Sequence, residues 1–202
     1  LAYNTIASVY YKQGEYQKAM QHYQEILKIN IRVHGEDHPL VAPSYNNIAS
    51  IYYITGKHEE ALEYFKKALA INLKVFDEEH PHVATSLHNI AMVYSKQGKF
   101  DLAMENHKRS LEIRQAIYDP VHTDIAASYH NIASLLVKQK KEAEALDYYY
   151  KSLDIYKKVH GDTHPHVYTC YNHLASTYCK LENYEKSIEY YKETLELSKK
   201  LN

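Results

Sequence analysis

The chain has 202 residues, 45% of them hydrophobic, with 24 basic against 25 acidic residues and a formal net charge of −1. That is enough apolar material for a continuous core, and a mean hydropathy of −0.57 suits a surface-rich, extended object. So even a balance gives no electrostatic basis for nucleic acid or an anionic membrane as partner, and neither an apolar run of about 18 residues nor a leader-like segment is present.

In chain order, the first predicted helix covers residues 1–13 and carries Tyr3-Asn4-Thr5-Ile6-Ala7 before Gly14. Leu1 enters in mid-helix without an initiating Met, so the chain is expected to be a segment of a longer protein. A second helix over 16–33 runs down to Gly35-Glu36-Asp37, where Gly35 suits a left-handed helix end. His38-Pro39 opens the next pair, 39–55 and 58–75, with proline where a missing N–H is harmless. Tyr45, Ile48, Ala49, Ile51 and Tyr52 form one apolar stripe on the former, and Gly56 breaks it. Ala61, Leu62, Phe65, Ala68, Leu69 and Leu73 share a side of the latter. The same two-helix pattern returns at 81–97 and 100–118, at 123–139 and 142–159, and at 165–181 and 184–201. No strand pattern competes.

The register behind these pairs is 42 residues. His38, His80, His122 and His164 keep that spacing, as do Tyr45-Asn46-Asn47-Ile48-Ala49, Leu87-His88-Asn89-Ile90-Ala91, Tyr129-His130-Asn131-Ile132-Ala133 and Tyr171-Asn172-His173-Leu174-Ala175. Small Ala at 7, 49, 91, 133 and 175 lets paired helices approach closely. Gly161 matches Gly35, whereas Asp77 and Asp119 are expected to take the same left-handed position at moderate cost. Five units follow, about 1–37, 38–79, 80–121, 122–163 and 164–202, forming a single domain of ten helices.

Ala49, Tyr52, Gly56, Ala61, Phe65 and Ala68, and likewise Ala7, Tyr10, Gly14, Ala19 and Tyr23, resemble the tetratricopeptide repeat. The Asn-Asn-Ile-Ala word and the Gly-x-x-His-Pro-x-Val-Ala link are similar to the kinesin-light-chain class of that repeat, over essentially the whole chain. The resemblance implies an all-α, right-handed solenoid of five helix–turn–helix repeats acting as a protein–protein interaction adaptor or scaffold. It further implies a concave groove for short peptides with acidic residues around an apolar anchor. The same repeat class occurs in nephrocystin-like proteins and in sensor arrays of signalling ATPases. There are departures: Lys140 and Glu182 replace the turn glycine, Thr123 replaces proline, and His107 takes the aromatic position of Phe65. Repeats four and five are therefore expected to be the less regular ones.

With the apolar stripe of each first helix buried, its opposite face presents Asn46, Asn47, Ser50, Tyr53 and Ile54. Across the copies this gives Asn4, Asn46, His88, His130 and Asn172, flanked by Asn47, Asn89, Asn131 and His173. A second row holds Ser50 and Ser134, and a third Lys12, Lys96, Lys138 and Lys180. Asparagine is poor in a helix interior by roughly 0.5 kcal/mol relative to alanine, yet its amide can clamp a peptide backbone of any sequence. Lysines spaced one per repeat can meet carboxylates. These residues are the expected peptide-binding face; the alternative is that the asparagines bridge adjacent repeats and the lysines only solvate a surface. His88 and His130 there could make affinity depend on pH between 6 and 7.

Other chemistry is not expected. The four link histidines start separate helices, the His80/His82 and His164/His166 pairs point to different faces, and no metal, cofactor or catalytic motif accompanies them. Cys170 and Cys179 lie nine residues apart on one helix, roughly 13 Å and too far for a disulfide, which favours a reducing, cytoplasmic setting. Most tyrosines are in buried register, but Tyr148-Tyr149-Tyr150 spans too much of a helix circumference to be wholly buried. Tyr184, Ile188, Tyr191 and Leu195 on the last helix are uncapped, so apolar ends and some end-to-end self-association are expected. A sensor array making intramolecular contacts, and a structural spacer, are the competing functions.

Overall fold

Helix hairpins closed by a single left-handed residue make up the computed structural model, which describes residues 2–201. The expected start of the first helix at Leu1, and the last residue of the fifth repeat, Asn202, lie outside the described residues. In order the helices are α1 (Ala2–Lys12), α2 (Tyr16–His34), α3 (Val41–Ile54), α4 (His58–Val75), α5 (Pro81–Lys96), α6 (Phe100–Ile117), α7 (Thr123–Lys138), α8 (Glu142–His160), α9 (Pro165–Lys180) and α10 (Tyr184–Leu201). The described residues contain no strand, and no helix among them is long and apolar enough to cross a membrane. Contacts gather into two compact units, Leu1–Asn106 and His107–Asn202. In the first, α1 packs on α2, α2 on α3, α3 on α4 and α4 on α5; in the second, α7 packs on α8, α8 on α9 and α9 on α10.

Every hairpin turn uses the same backbone solution. Gly14, Gly56 and Gly98 have φ of 77°, 81° and 73°, and Lys140 and Glu182 copy them with φ of 60° and 58°. The following residue donates its N–H back to the helix: Glu15 to the Tyr10 carbonyl at 2.9 Å, Lys57 to Tyr52 at 2.8 Å, Lys141 to Leu136 at 2.9 Å and Asn183 to Tyr178 at 3.0 Å. This 6→1 bond is a Schellman closure, and it survives the loss of glycine because the carbonyls still need a donor. A side chain at that φ is strained, so Lys140→Gly and Glu182→Gly are each expected to raise stability by roughly 0.5–1 kcal/mol. Urea unfolding checks this; an unchanged or lower midpoint would contradict it. A Cβ added at Gly56 meets nothing within 4 Å, so Gly56→Ala measures the backbone strain alone.

Links between repeats come in two forms. Gly35 and Gly161 leave α2 and α8 with φ of 87° and 80°. Asp77 and Asp119 do not take that conformation, contrary to the sequence expectation. Instead α4 and α6 stop one residue earlier in the repeat, and Phe76 leaves α4 extended at φ −118° and ψ 164°, a path open to any residue.

Three of the four link histidines, His80, His122 and His164, turn out to be helix caps. Nδ1 of His80, His122 and His164 accepts the backbone N–H two residues on at 3.2, 3.1 and 3.2 Å, and His38 does the same to Leu40 at 3.2 Å. Each ring stacks on the residue four before it: His34 on His38 at 4.4 Å, Phe76 on His80 at 3.9 Å, Tyr118 on His122 at 4.0 Å and His160 on His164 at 4.1 Å between centroids. The Nδ1 lone pair is what accepts in each case. His80→Ala is expected to cost about 1 kcal/mol by thermal unfolding, and His80→Asn, which keeps an acceptor, less. Equal losses would show that the stack alone matters.

The core follows the small-residue register. Ala7, Ala49, Ala91, Ala133 and Ala175 are all fully buried, as are Ala19, Ala61, Ala103 and Ala145 on the second helices. The fifth copy has Ser187 there instead, satisfied by donating to the Ala175 carbonyl at 2.9 Å. Ile48, Ala49 and Ile51 are buried as expected, with Tyr45 and Tyr52 half-buried beside them. Leu73 departs from its expected inward side and is exposed, because Ile71 and Asn72 take the inward direction at that turn.

Candidate functional site

The residues expected on the open face of the first helices are only partly open. In the first unit Asn4 is exposed, while Asn46, Asn47, Ser50, His88 and Asn89 are half-buried; in the second, His130, Asn131, Ser134 and Asn172 are half-buried. Several are engaged by their own helix: Ser50 donates to the Asn46 carbonyl at 2.8 Å, and Asn131 Nδ2 to the Ala127 carbonyl at 2.7 Å. Such back-bonding uses a donor and leaves the acceptors outward. Lys12, Lys96, Lys138 and Lys180 are exposed, and each is the basic residue in its helix's last turn. There a cation also complements the helix dipole, a structural role independent of any ligand.

Asn46 stands beside a crevice. Its Oδ1 is buried and has no hydrogen-bond partner among the described residues. Beside it lies a crevice of about 70 Å³, lined by Pro39, Ala42, Pro43 and Asn46 of the third helix and its lead-in, Asn72 and Phe76 from the end of α4, and His82 and Thr85 of α5. Asparagine amides fill their hydrogen-bonding capacity when buried, which makes this buried acceptor beside the crevice an exception.

Bridging between repeats is carried out by other residues, which the sequence pattern did not single out. Asn30 Nδ2 donates to the Leu40 carbonyl at 3.0 Å and to Ser44 Oγ at 3.2 Å. One repeat on, Asn72 Nδ2 reaches the His82 carbonyl at 3.3 Å and Ser86 Oγ at 3.0 Å. In the second unit Arg114 Nη1 donates to the Asp124 carbonyl at 3.3 Å and Ser128 Oγ at 2.7 Å, so a guanidinium does the work of the amide. The signal was present: positions 30, 72 and 114 are 42 apart, and Ser44, Ser86 and Ser128 each follow by 14.

A polar cluster occupies the second unit where α7, α8 and α9 meet. Tyr149 is buried, its hydroxyl 3.1 Å from Ser134 Oγ and 3.4 Å from His173 Nδ1. His130 packs edge-on against His173 with centroids 4.7 Å apart, and its Nδ1 lies 3.8 Å from Cys170 Sγ. Burial, with smaller contributions from His173 and His166, pushes His130 down to about 4. Burial also lowers His173, and raises the Cys170 thiol to about 11. His130 thus changes charge well below the pH 6–7 range expected from the sequence, because its ring is half inside the repeat instead of open to the groove. Tyr148 and Tyr150 flank Tyr149 half-buried, and the Tyr150 hydroxyl lies 2.8 Å from Tyr178 and 2.9 Å from Tyr190. Cys170 and Cys179 are both free thiols, one buried and one exposed. Among the described residues no three His, Cys, Asp or Glu side chains form a group that could hold a metal ion.

The tetratricopeptide repeat family model matches residues 1–74, 41–116 and 124–200. Among solved structures, the nearly identical TPR-like repeats ascribed to a Podosopora anserina kinesin light chain are 22% identical, with a TM-score of 0.81 over 100% of this chain and 95% of that one. BtubC (BKLC) from P. vanneervenii is also 22% identical, with a TM-score of 0.87 over 99% of this chain and 80% of that one. A Rap protein complexed with competence and sporulation factor is 20% identical, with a TM-score of 0.80 over 97% of this chain and 52% of that one. No curated protein matches the sequence.

Proposed function

The chain belongs to the tetratricopeptide repeat family, and on that premise we propose that the open faces of its first helices bind an extended segment of a partner protein, in an adaptor or scaffold role. The observation that carries this is the crevice between α3 and α5, with the Asn46 side chain in its lining. Where a ligand widens the crevice enough to reach it, the Asn46 amide pairs with peptide backbone whatever the ligand's sequence, and the flanking Pro39, Pro43 and Phe76 offer an apolar seat for one anchoring side chain. Exposed Lys12 and Lys96 of the same unit favour acidic residues around that anchor. The Rap protein with its bound factor supports the proposal by analogy of fold alone. The two free thiols favour a reducing cytoplasm as its setting.

The test starts from peptides selected on the 202-residue chain out of a random library. Their affinity is expected to fall roughly tenfold or more in Asn46→Ala combined with Asn89→Ala, at unchanged helicity. Unchanged affinity in a folded double variant would remove the proposal. Lys96→Glu is expected to weaken acidic peptides and strengthen basic ones, the difference shrinking as salt is raised.

A further inference from the structure

The open face of the first unit carries opposite charge at its two ends. Thr85, His88, Asn89, Met92 and Lys96 follow one another on α5 at steps of three and four residues, so they form one track. It starts at the crevice, which Thr85 lines, and ends at the turn into α6. Histidines aside, Lys96 is the single charged residue of α5, and α3 across the crevice has none. The charge met by a bound segment therefore comes from the ends. At the link end, Glu36 and Asp37 lead into Pro39 of the crevice, and Asp77, Glu78 and Glu79 follow Phe76, all five exposed. Lys74 offsets Asp37, its Nζ 2.8 Å from both carboxylate oxygens, but Glu36, Asp77 and Glu79 still outweigh Arg32. At the other end Lys96 is exposed in the last turn of α5, with Lys99 just past it. The carboxylates of that end, Glu59, Glu60 and Asp101, belong to the first turns of α4 and α6, where they complement the helix dipoles and are not on the track.

We propose that this track takes a charge-polarised peptide segment, with a basic residue next to the apolar anchor at the crevice and an acidic residue at Lys96. Thr85 and Lys96 are eleven residues apart, about 16 Å along the helix, which an extended ligand covers in about five residues. The acidic residue therefore lies about five positions from the anchor, on one side of it only. The proposal rests on the reading of this face as a binding face and adds the direction in which the ligand lies. A reversed segment sets its acid beside Asp77 and Glu79 and its base beside Lys96, two like-charge contacts that select against it. A segment that is acidic throughout matches Lys96 but is repelled at the crevice.

Selection from a random peptide library on the 202-residue chain, repeated on charge variants, tests this. The wild-type pool is expected to be enriched in Lys or Arg beside a shared apolar position and in Asp or Glu about five positions away. On Asp77→Lys combined with Glu79→Lys the basic preference is expected to vanish while the distant acid stays, and on Lys96→Glu the reverse. A peptide from the wild-type pool is expected to bind the Asp77/Glu79 double variant roughly tenfold more weakly at low salt, the loss shrinking as salt is raised. Asp77→Asn with Glu79→Gln, which only neutralises, is expected to lose less. All three positions are exposed, so helicity is retained. Peptides that move the backbone amide signals of Thr85 and Asn89 but carry acids beside the anchor, or the same pattern on all the proteins, would overturn this proposal and leave the binding face standing. Peptides that bind without moving those signals, or a library that yields no binder, would overturn both.

Discussion

Arg114→Ala is expected to destabilise the protein by about 3–4 kcal/mol. The guanidinium is buried, and Nη1 holds both Ser128 Oγ and the Asp124 carbonyl at the start of α7. Removing it takes away the donor to Ser128 Oγ, which keeps only its own donation to the Asp124 carbonyl at 2.9 Å, and leaves the volume of the aliphatic stem empty. Burial lowers the arginine's pKa, with the nearby Asp124 acting against that, so the charge itself is a cost the site tolerates for its hydrogen bonds. The informative comparison is Arg114→Asn, which installs the residue found one and two repeats earlier. If the junction geometry is what the sequence conserves internally, Asn at this position recovers most of the loss, to within about 1 kcal/mol of wild type. Chemical unfolding monitored by circular dichroism reads both. Equal destabilisation by Ala and Asn would show that arginine packing, not donation to Ser128 and Asp124, holds the repeats together.

Acid is expected to act chiefly on the second unit. His130 titrates near 4 when folded and near 6.5 when unfolded, so between those values the unfolded chain takes up a proton that the folded chain refuses. Stability is therefore unaffected by this residue above pH 6.5 and falls as pH drops through that window, by up to about 3 kcal/mol at pH 4. His173, pushed the same way by burial at the same cluster, adds to the loss. The carboxylates contribute their own acid dependence, so the measurement is a difference. His130→Gln, which cannot titrate, is expected to show a shallower decline of unfolding midpoint between pH 6.5 and 4 than wild type does. Identical slopes would mean that His130 is hydrated in the folded state.

The fold was legible because a register kept over five units ties local helix periodicity to a repeated junction. All ten helices begin and end within two residues of the positions read from periodicity and breakers. What escaped was chemistry that changes residue type while keeping its place. Asn30, Asn72 and Arg114 share a geometry but not a side chain, and their acceptors lie fourteen residues away across a junction that periodicity does not depict. The capping role of His80, His122 and His164 goes with a stacking partner that is Phe, Tyr or His by turns. Asp77 was misplaced because a helix that ends one residue earlier needs no positive φ, and Leu73 because Ile71 and Asn72 take the inward direction at that turn. The face assigned to binding was legible as a face. Burial then divides it, drawing His130 and Ser134 toward Tyr149 and leaving Asn46 with an open acceptor.

The central claim, that this face holds a partner segment, is tested most directly by where a bound peptide touches the chain. Backbone amide shifts of the isotope-labelled protein, recorded as a library-selected peptide is added, locate that contact. The account predicts the largest changes around Asn46, Asn47 and Asn89 and the crevice residues His82 and Thr85, with the outward side of α4 at Leu73 unmoved. Changes confined to Leu73 and its neighbours, or to the end stripes on α1 and α10, would contradict it.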